Sequence, residues 1–325
     1  MREFNTSGPN KPNEHYTVPR LDWVEKGKKL VYKERYFTIW APRQTGKSTY
    51  FRFLAETMQQ EGYKVCHVNF ENFKNINEEE FLIQLGIDLF KQWGLSFEVR
   101  SIVSLFGQIE RIETGKMVLI IEGIDEINTA YLWTFLSSIR SAFHSRQDHA
   151  LKSVILSGVS NTIRNAPNDR IPFNIGDDFI LPYFSNDETR TLLEQHENET
   201  GQLFEDNVKT EISKVTANHP SLVNGLAGKL IETFPNNPVL NYDNYLQIER
   251  LYLSENMGNI GLNVLMNAQK YSPFIKRLLS GNAKESFSIH HKHCKDLWEE
   301  GLISFNESHY IIFKVPLCQK YLHNI

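Results

Sequence analysis

The sequence predicts an α/β fold: a parallel β-sheet covered by helices, then a helical region and a small terminal hairpin module. Three observations carry this. Four short apolar runs, "YFTIWA" (36–41), "KVCHVNF" (64–70), "MVLIIE" (117–122) and "KSVILSGVS" (152–160), have the length and continuity of strands buried on both faces. Between them lie Lys47 to Gln60, Glu78 to Trp93 and Tyr131 to His144, each with apolar residues at three-to-four spacing. After Phe184 the chain reads as helix almost throughout.

Taken in order, the first twenty residues, "MREFNTSGPNKPNEHYTVPR", are rich in Gly, Pro, Asn and Ser and read as an irregular arm, not a packed element. A fifth run, "DFILPYF" (178–184), is a further strand candidate. "SNDETRTLLEQHENETG" opens on an N-cap type serine, carries acids in its first turn and stops at Gly201. "VKTEISKVTANHPSLVNGLAGKLIETF" gives two helices broken at His219 and Pro220. From about Tyr242, helical patterns precede "GLISFNESHYIIFKV", two short strands around a polar turn, which suggests a winged helix. The expected division is an arm over 1–20, a core over 21–184, a helical lid over 185–240 and a winged-helix-like domain over 241–325.

Composition narrows the class. The 325 residues suffice for about two domains. With 41% hydrophobic and 23% charged residues the chain is ordinary for a globular protein, and a net charge of −4 gives no global basic field. No apolar run approaches the roughly 20 residues of a membrane helix, and "MREFNTSGPN" lacks the apolar centre of a signal peptide. Three cysteines, Cys66, Cys294 and Cys318, suit a reducing cytoplasm better than a disulfide framework.

"APRQTGKS" carries the sharpest chemistry. The pattern G-x-x-x-x-G-K-[ST] wraps phosphates in backbone N–H groups. Here Ala41 stands at the first glycine, followed by Pro42, Arg43, Gln44, Thr45, Gly46, Lys47, Ser48 and Thr49. Gly46 lets the loop close into a helix whose N-terminus faces the anion. Lys47 would reach the β/γ-phosphates and the Ser48 hydroxyl would join Mg²⁺. The motif follows an apolar strand and precedes an amphipathic helix, the context it requires.

The partner motif lies in "MVLIIEGIDEI" (117–127), where two registers stand. In one, Glu122 ends the strand as the Mg²⁺ acid and Gly123 occupies the water-orienting position; in the other, Asp125 and Glu126 are the pair. A shift of three residues moves the acid by roughly 10 Å. The second register would bury Glu122 inside the strand without a partner, so the first is preferred.

These motifs together resemble the AAA-like ATPase family of bacterial P-loop proteins, related to the STAND and AAA+ groups. "FNTSGPNKPNEHYTVPR", "APRQTGKST", "LIIEGIDEI", "SVILSGVSNTIRN", "FNIGDDFILPYFSNDETRTLLEQHENETGQLF" and "TANHPSLVNGLAGKLI" look like its successive segments, alanine at position 41 included. The departure is Glu122 for Asp and Gly123 for Glu. The resemblance implies a P-loop NTPase core with a helical lid, ATP or ADP as ligand with Mg²⁺, a polar sensor at Ser160 and Asn161, and a phosphate or inter-subunit contact from Arg164. It further implies that Val18, Pro19 and Arg20 line the adenine pocket and that the turn at Asn218, His219 and Pro220 packs on the base, with the arm lying over the nucleotide site.

Two weaker signals are set aside. "IHHKHC" (289–294) places His290 and Cys294 four apart, but lacks four spaced ligands and has Lys292 and Lys295 beside it. From Leu265 onward there are eight Lys or Arg against five Asp or Glu, but Asp296, Glu299 and Glu300 crowd one presumed helix, which disfavours DNA there. The expected function is an ATP-dependent switch of the cytoplasm, a weak ATP hydrolase because Gly123 cannot polarise water, with a protein partner or self-association. The alternatives are an active ATPase working on DNA through the winged helix, and a structural nucleotide binder. Glu126 would rescue hydrolysis if its turn folds back.

Overall fold

The computed structural model describes residues 1–158, 177–255, 257–281 and 285–324, apart from the side chains of residues 72 and 177–179. The chain forms two compact units. One, the sheet unit, comprises residues 20–40 and 50–181; the other, the helical unit, comprises residues 1–19, 41–49 and 182–325.

The sheet unit begins with α1 (Leu21–Tyr32) and β1 (Phe37–Trp40), and β1 runs out through the phosphate loop into α2 (Lys47–Gln60). Then follow β2 (Lys64–Asn69), α3 (Glu78–Trp93), α4 (Ile102–Ile109), β3 (Met117–Glu122), α5 (Thr129–His144), β4 (Leu151–Gly158) and β5 (Asp177–Ile180). The strands form one sheet in the order β2-β3-β4-β1-β5, every pairing parallel. All six residues of β3 are buried, which is why its first five are an unbroken apolar run before Glu122. Phe81, Leu85 and Leu89 of α3 and Phe135, Leu136 and Ile139 of α5 complete the core with β3 and β4. Asn77 caps α3 by accepting from Glu80 N, and left-handed Gly94 ends it, so its bounds follow from local chemistry.

The helical unit contains α6 (Asn186–Thr200), β6 (Leu203–Phe204), α7 (Asp206–Thr216), α8 (Pro220–Thr233), β7 (Val239–Leu240), α9 (Tyr242–Ser254), α10 (Gly258–Lys270), α11 (Ser272–Ser280), α12 (Lys292–Glu299), β8 (Ile303–Phe305), β9 (Ile311–Phe313) and α13 (Pro316–His323). Ser185 and Glu188 form a reciprocal capping box on α6, a cap worth about 1 kcal/mol. β8 and β9 are the antiparallel pair expected around the polar turn, with Ser286 bridging to Tyr310 beside them.

The arm differs from its expectation. It is irregular, but it is packed: Tyr16 is fully buried and Phe4 nearly so, in one core with Leu192, Phe204 and Leu226. The Tyr16 hydroxyl meets His196 Nδ1 at 3.2 Å, and Gln195 pairs with the Thr17 backbone through its amide oxygen and nitrogen at 3.0 Å each. Composition identified the lack of periodicity but not these two aromatic anchors.

Candidate functional site

The phosphate loop belongs to the helical unit. Gly46 is left-handed at φ 87° and Gln44 at φ 58°, so the backbone coils tightly between Ala41 and the first turn of α2. Thr45, buried, donates to Pro42 O at 2.9 Å and fixes the loop from inside. Lys47 Nζ donates to Ala41 O at 2.7 Å and Pro42 O at 2.8 Å. Carbonyl oxygens are the neutral counterparts of phosphate oxygens, and the donor set of Lys47, Ser48 and a helix N-terminus fits a polyphosphate with its magnesium.

Three other parts of the same unit meet this loop. From the arm, Asn10 N donates to Thr49 Oγ1 at 2.9 Å. From α8, Ser221 Oγ donates to Gln44 Oε1 at 3.2 Å. From the C-terminal part, Gly301 lies so close that a methyl group there would come within 2.7 Å of Pro42 Cγ and 2.6 Å of Tyr183 Oη. A small cleft beside the loop is lined by Arg43, Tyr183, His219, Asn263, Glu300 and Gly301 among others. His219 is buried, its ring edge-on to Tyr183 at 4.7 Å between centroids. Its Nδ1 is buried without a hydrogen-bond partner among the described residues. Burial pushes its imidazole down to about 3, the charges of Lys314 and Lys47 push the same way, and a hydrogen bond to the Arg43 backbone opposes them. Lys314 sits 3.9 Å over the Tyr183 ring, and burial lowers its ammonium to about 8.

The turn expected to face the base has a left-handed backbone: Ala217 is at φ 47° and Asn218 at φ 59°, with Asn218 Oδ1 accepting from Thr189 at 2.8 Å. Pro220 is buried at the first position of α8. Val18 packs against the helical core and Pro19 is exposed beside it, while Arg20 is buried at the start of α1 in the sheet unit. Ser160, Asn161 and Arg164 lie outside the described residues.

In the sheet unit, β3 ends at Glu122, level with Asn69 of β2. Glu122 is buried, and its carboxylate meets His67 Nε2 at 2.5 Å. The objection that a buried Glu122 has no partner therefore falls: the partner is one strand away, where a single sequence cannot show it. Gly123 follows at φ 68° and opens a 3₁₀ turn, Ile124–Glu126. Glu126 pairs with Lys74 at 2.8 Å. Asp125 Oδ1 would lie 2.5 Å from a methyl group on Gly158, at the end of β4. Asn10, Gly301, Tyr183, Lys314 and the His219 side chain were missed by sequence reasoning, because nothing local ties them to the loop. Cys294, weighed as a metal ligand, is buried, and among the described residues no group of three or more His, Cys, Asp or Glu is arranged to hold a metal ion. No helix among the described residues is long and apolar enough to cross a membrane.

A parallel sheet of five strands among the described residues, whose β1 leads through a glycine-containing loop into a helix, defines the P-loop NTPase fold. No family model and no curated protein matches the sequence. Solved structures do. A Walker-type ATPase of Pyrococcus abyssi aligns over 98% of this chain and 99% of its own at 12% identity and TM-score 0.71. RuvB of Thermotoga maritima, in a variant form, aligns over 98% of each chain at 12% identity and TM-score 0.55. The Orc1 protein of Aeropyrum pernix, solved in complex with DNA, aligns over 95% of this chain and 93% of its own at 13% identity and TM-score 0.53. The fold implied by the resemblance is thus the fold observed, across nearly the whole chain.

Proposed function

We propose that this chain binds ATP with Mg²⁺ at Ala41–Thr49 and acts as a nucleotide-dependent switch of the AAA-like, STAND-related kind. One observation carries the reading: arm, α8 and the C-terminal part all touch the same nine-residue loop. A nucleotide seated there is felt at once by three segments that are far apart in sequence, which is what a switch needs. Lys47 would bind the phosphates, Ser48 would join the magnesium, which neutralises phosphate charge, and the turn before Pro220 with Val18 and Pro19 would meet the base. Glu122 as a magnesium acid, Arg20, Asn161 and Arg164 keep the roles the family resemblance suggests. The terminal helices and hairpin are taken as a winged helix, with a protein partner or a second copy as its target and the cytoplasm as its setting. Hydrolysis is slow in this reading, because Gly123 offers no group to a water.

A second reading, an ATPase working on DNA, is favoured by the DNA-bound neighbour. Against it stand Asp296, Glu299 and Glu300 on and beside α12. One experiment separates the readings: nucleotide analysis of the purified protein, with turnover measured with and without duplex DNA at about 0.15 M salt. Co-purifying adenine nucleotide with slow, DNA-independent turnover supports the switch. Submicromolar DNA binding with a steep salt slope promotes the second reading. Absence of nucleotide binding sinks both.

A further inference from the structure

A helix that covers a sheet buries one side and turns a polar side outward. α3 departs from this rule. Its inner side, with Phe81, Leu85, Leu89 and Trp93, lies in the core of the sheet unit. Its outer side carries Ile83, Ile87 and Phe90, exposed at 55%, 40% and 54%. Steps of four and three residues put these side chains on one stripe. Single exposed apolar residues are ordinary on a protein surface, but a stripe of three large ones marks a contact.

Strand addition is blocked on this side of the sheet. β2 is the end strand among the described residues. Gln92, near the end of α3, occupies its outer edge: the amide oxygen accepts from His67 N at 2.8 Å and the amide nitrogen donates to His67 O at 3.0 Å. What is left to cover is the helix face, and the charges along it choose the occupant. α3 has Glu78, Glu79 and Glu80 in its first turn and Lys91 in its last. Glu80 and Lys91 are about three turns apart, so they share one flank of the stripe. Neither forms an ion pair among the described residues. A second α3 laid antiparallel on the first, about a two-fold axis at Ile87, brings Ile83 of each copy to Phe90 of the other. The two Ile87 side chains then meet at the axis. A two-fold axis keeps each flank on its own side, so Glu80 of each copy meets Lys91 of the other.

We propose that the outer face of α3 is a self-association surface, a two-fold contact with a second copy of this chain through Ile83, Ile87 and Phe90. Glu80 and Lys91 set its antiparallel direction. A parallel second copy would set acid against acid at one end and Lys91 against Lys91 at the other, which the charges oppose. The contact uses the sheet unit alone and does not depend on the nucleotide reading. α3 has 16 residues and is therefore about 24 Å long. One helix pair falls short of the standard interface of about 800 Å² per partner, so a dimer with Kd in the micromolar range is expected.

The test is sedimentation velocity of the full chain from about 1 to 100 μM at about 0.05 M salt, where surface charges are weakly screened. Wild type should pass from monomer to dimer across that range. Ile87→Glu, at an exposed position, should melt with the wild type. It sets two carboxylates together at the axis and should weaken the dimer by about tenfold or more. Lys91→Glu and Glu80→Lys should each weaken it by about three- to tenfold, the scale of two exposed ion pairs. An equal mixture of those two variants should associate as tightly as wild type, because every Glu again faces a Lys. A wild type that stays monomeric at about 100 μM overturns the proposal. So does a dimer that Ile87→Glu leaves intact, or a mixture no tighter than either variant alone.

Discussion

The carboxyl edge of β2 and β3 and the surroundings of the phosphate loop handle charge in opposite ways. At the strand edge, acids are matched with bases: Glu122 with His67 and Glu126 with Lys74. Around the loop, Lys47 donates to two carbonyl oxygens and Lys314 lies on an aromatic face. His219, buried near both ammonium groups, is held neutral. Carbonyl oxygens and an aromatic face fix where an ammonium group lies by hydrogen-bond and ring geometry. Carboxylate partners cancel charge and set geometry.

The largest way to break the loop side is steric. Gly301 is left-handed at φ 77° and abuts both Pro42 and Tyr183. Gly301→Ala adds roughly 1–2 kcal/mol for the left-handed backbone and roughly 1–3 kcal/mol for the overlap, about 2–5 kcal/mol in all. Denaturant unfolding should show that loss, and ATP affinity should fall with it. A variant as stable as wild type would mean that the C-terminal part does not press on the loop.

Removing the cation that crosses the loop comes next. Lys47→Ala should weaken ATP-Mg²⁺ binding by about tenfold or more in calorimetry, since one charge-assisted contact is worth roughly 1.5–3 kcal/mol. Unchanged affinity would end the phosphate-loop reading. On the acid side the comparable change is smaller. Gly123→Ala should cost about 1–2 kcal/mol of stability from backbone strain alone. Gly123→Glu should cost at least as much, because Glu71 already fills the adjoining space. A Gly123→Glu variant as stable as wild type would show that neither the backbone nor Glu71 requires glycine there.

How far the sequence reached follows the same divide. β1 to β4, α2 and α3 were legible to within a residue or two, because burial on both faces and 3.6-residue periodicity are local signals, whereas β5 stops at Ile180 instead of 184 and the two-residue strands β6 and β7 were missed. So were the Ser185 cap, the Gly201 stop and the break at Pro220. The helix α1 was missed: Lys26, Lys28 and Lys29 mask its Val24, Gly27 and Val31 stripe. α4 was missed because its eight residues are too short for a periodic reading. In the site, the phosphate loop was legible as a motif. The partners of Glu122 and Gly123 were not, since His67 and Glu71 reach them through strand pairing 55 and 52 residues away in the chain.

The smallest expected effect concerns the buried charge of Lys314. Burial lowers Lys314 from 10.5 to about 8, so the fold disfavours its charge. The unfolded chain then binds more protons between those values, and wild-type stability should rise with pH across that window. Below about 8 the penalty is constant. Lys314→Met removes it and also removes the contact with Tyr183, which returns only about 0.5–1 kcal/mol. The variant should therefore be more stable than wild type at pH 7 by about 1 kcal/mol, at roughly 1.4 kcal/mol per pH interval less that contact and less screening. The advantage should vanish near pH 10.5. His219 adds a second window with the same slope: its folded value near 3 makes stability fall as pH drops from 6.5. Because the Lys314 charge helps hold His219 down, Lys314→Met should also soften that acid loss. Urea melts at pH 4, 7 and 10 read all three effects, and a variant less stable than wild type at pH 7 would show that Lys314 has a cancelling partner after all.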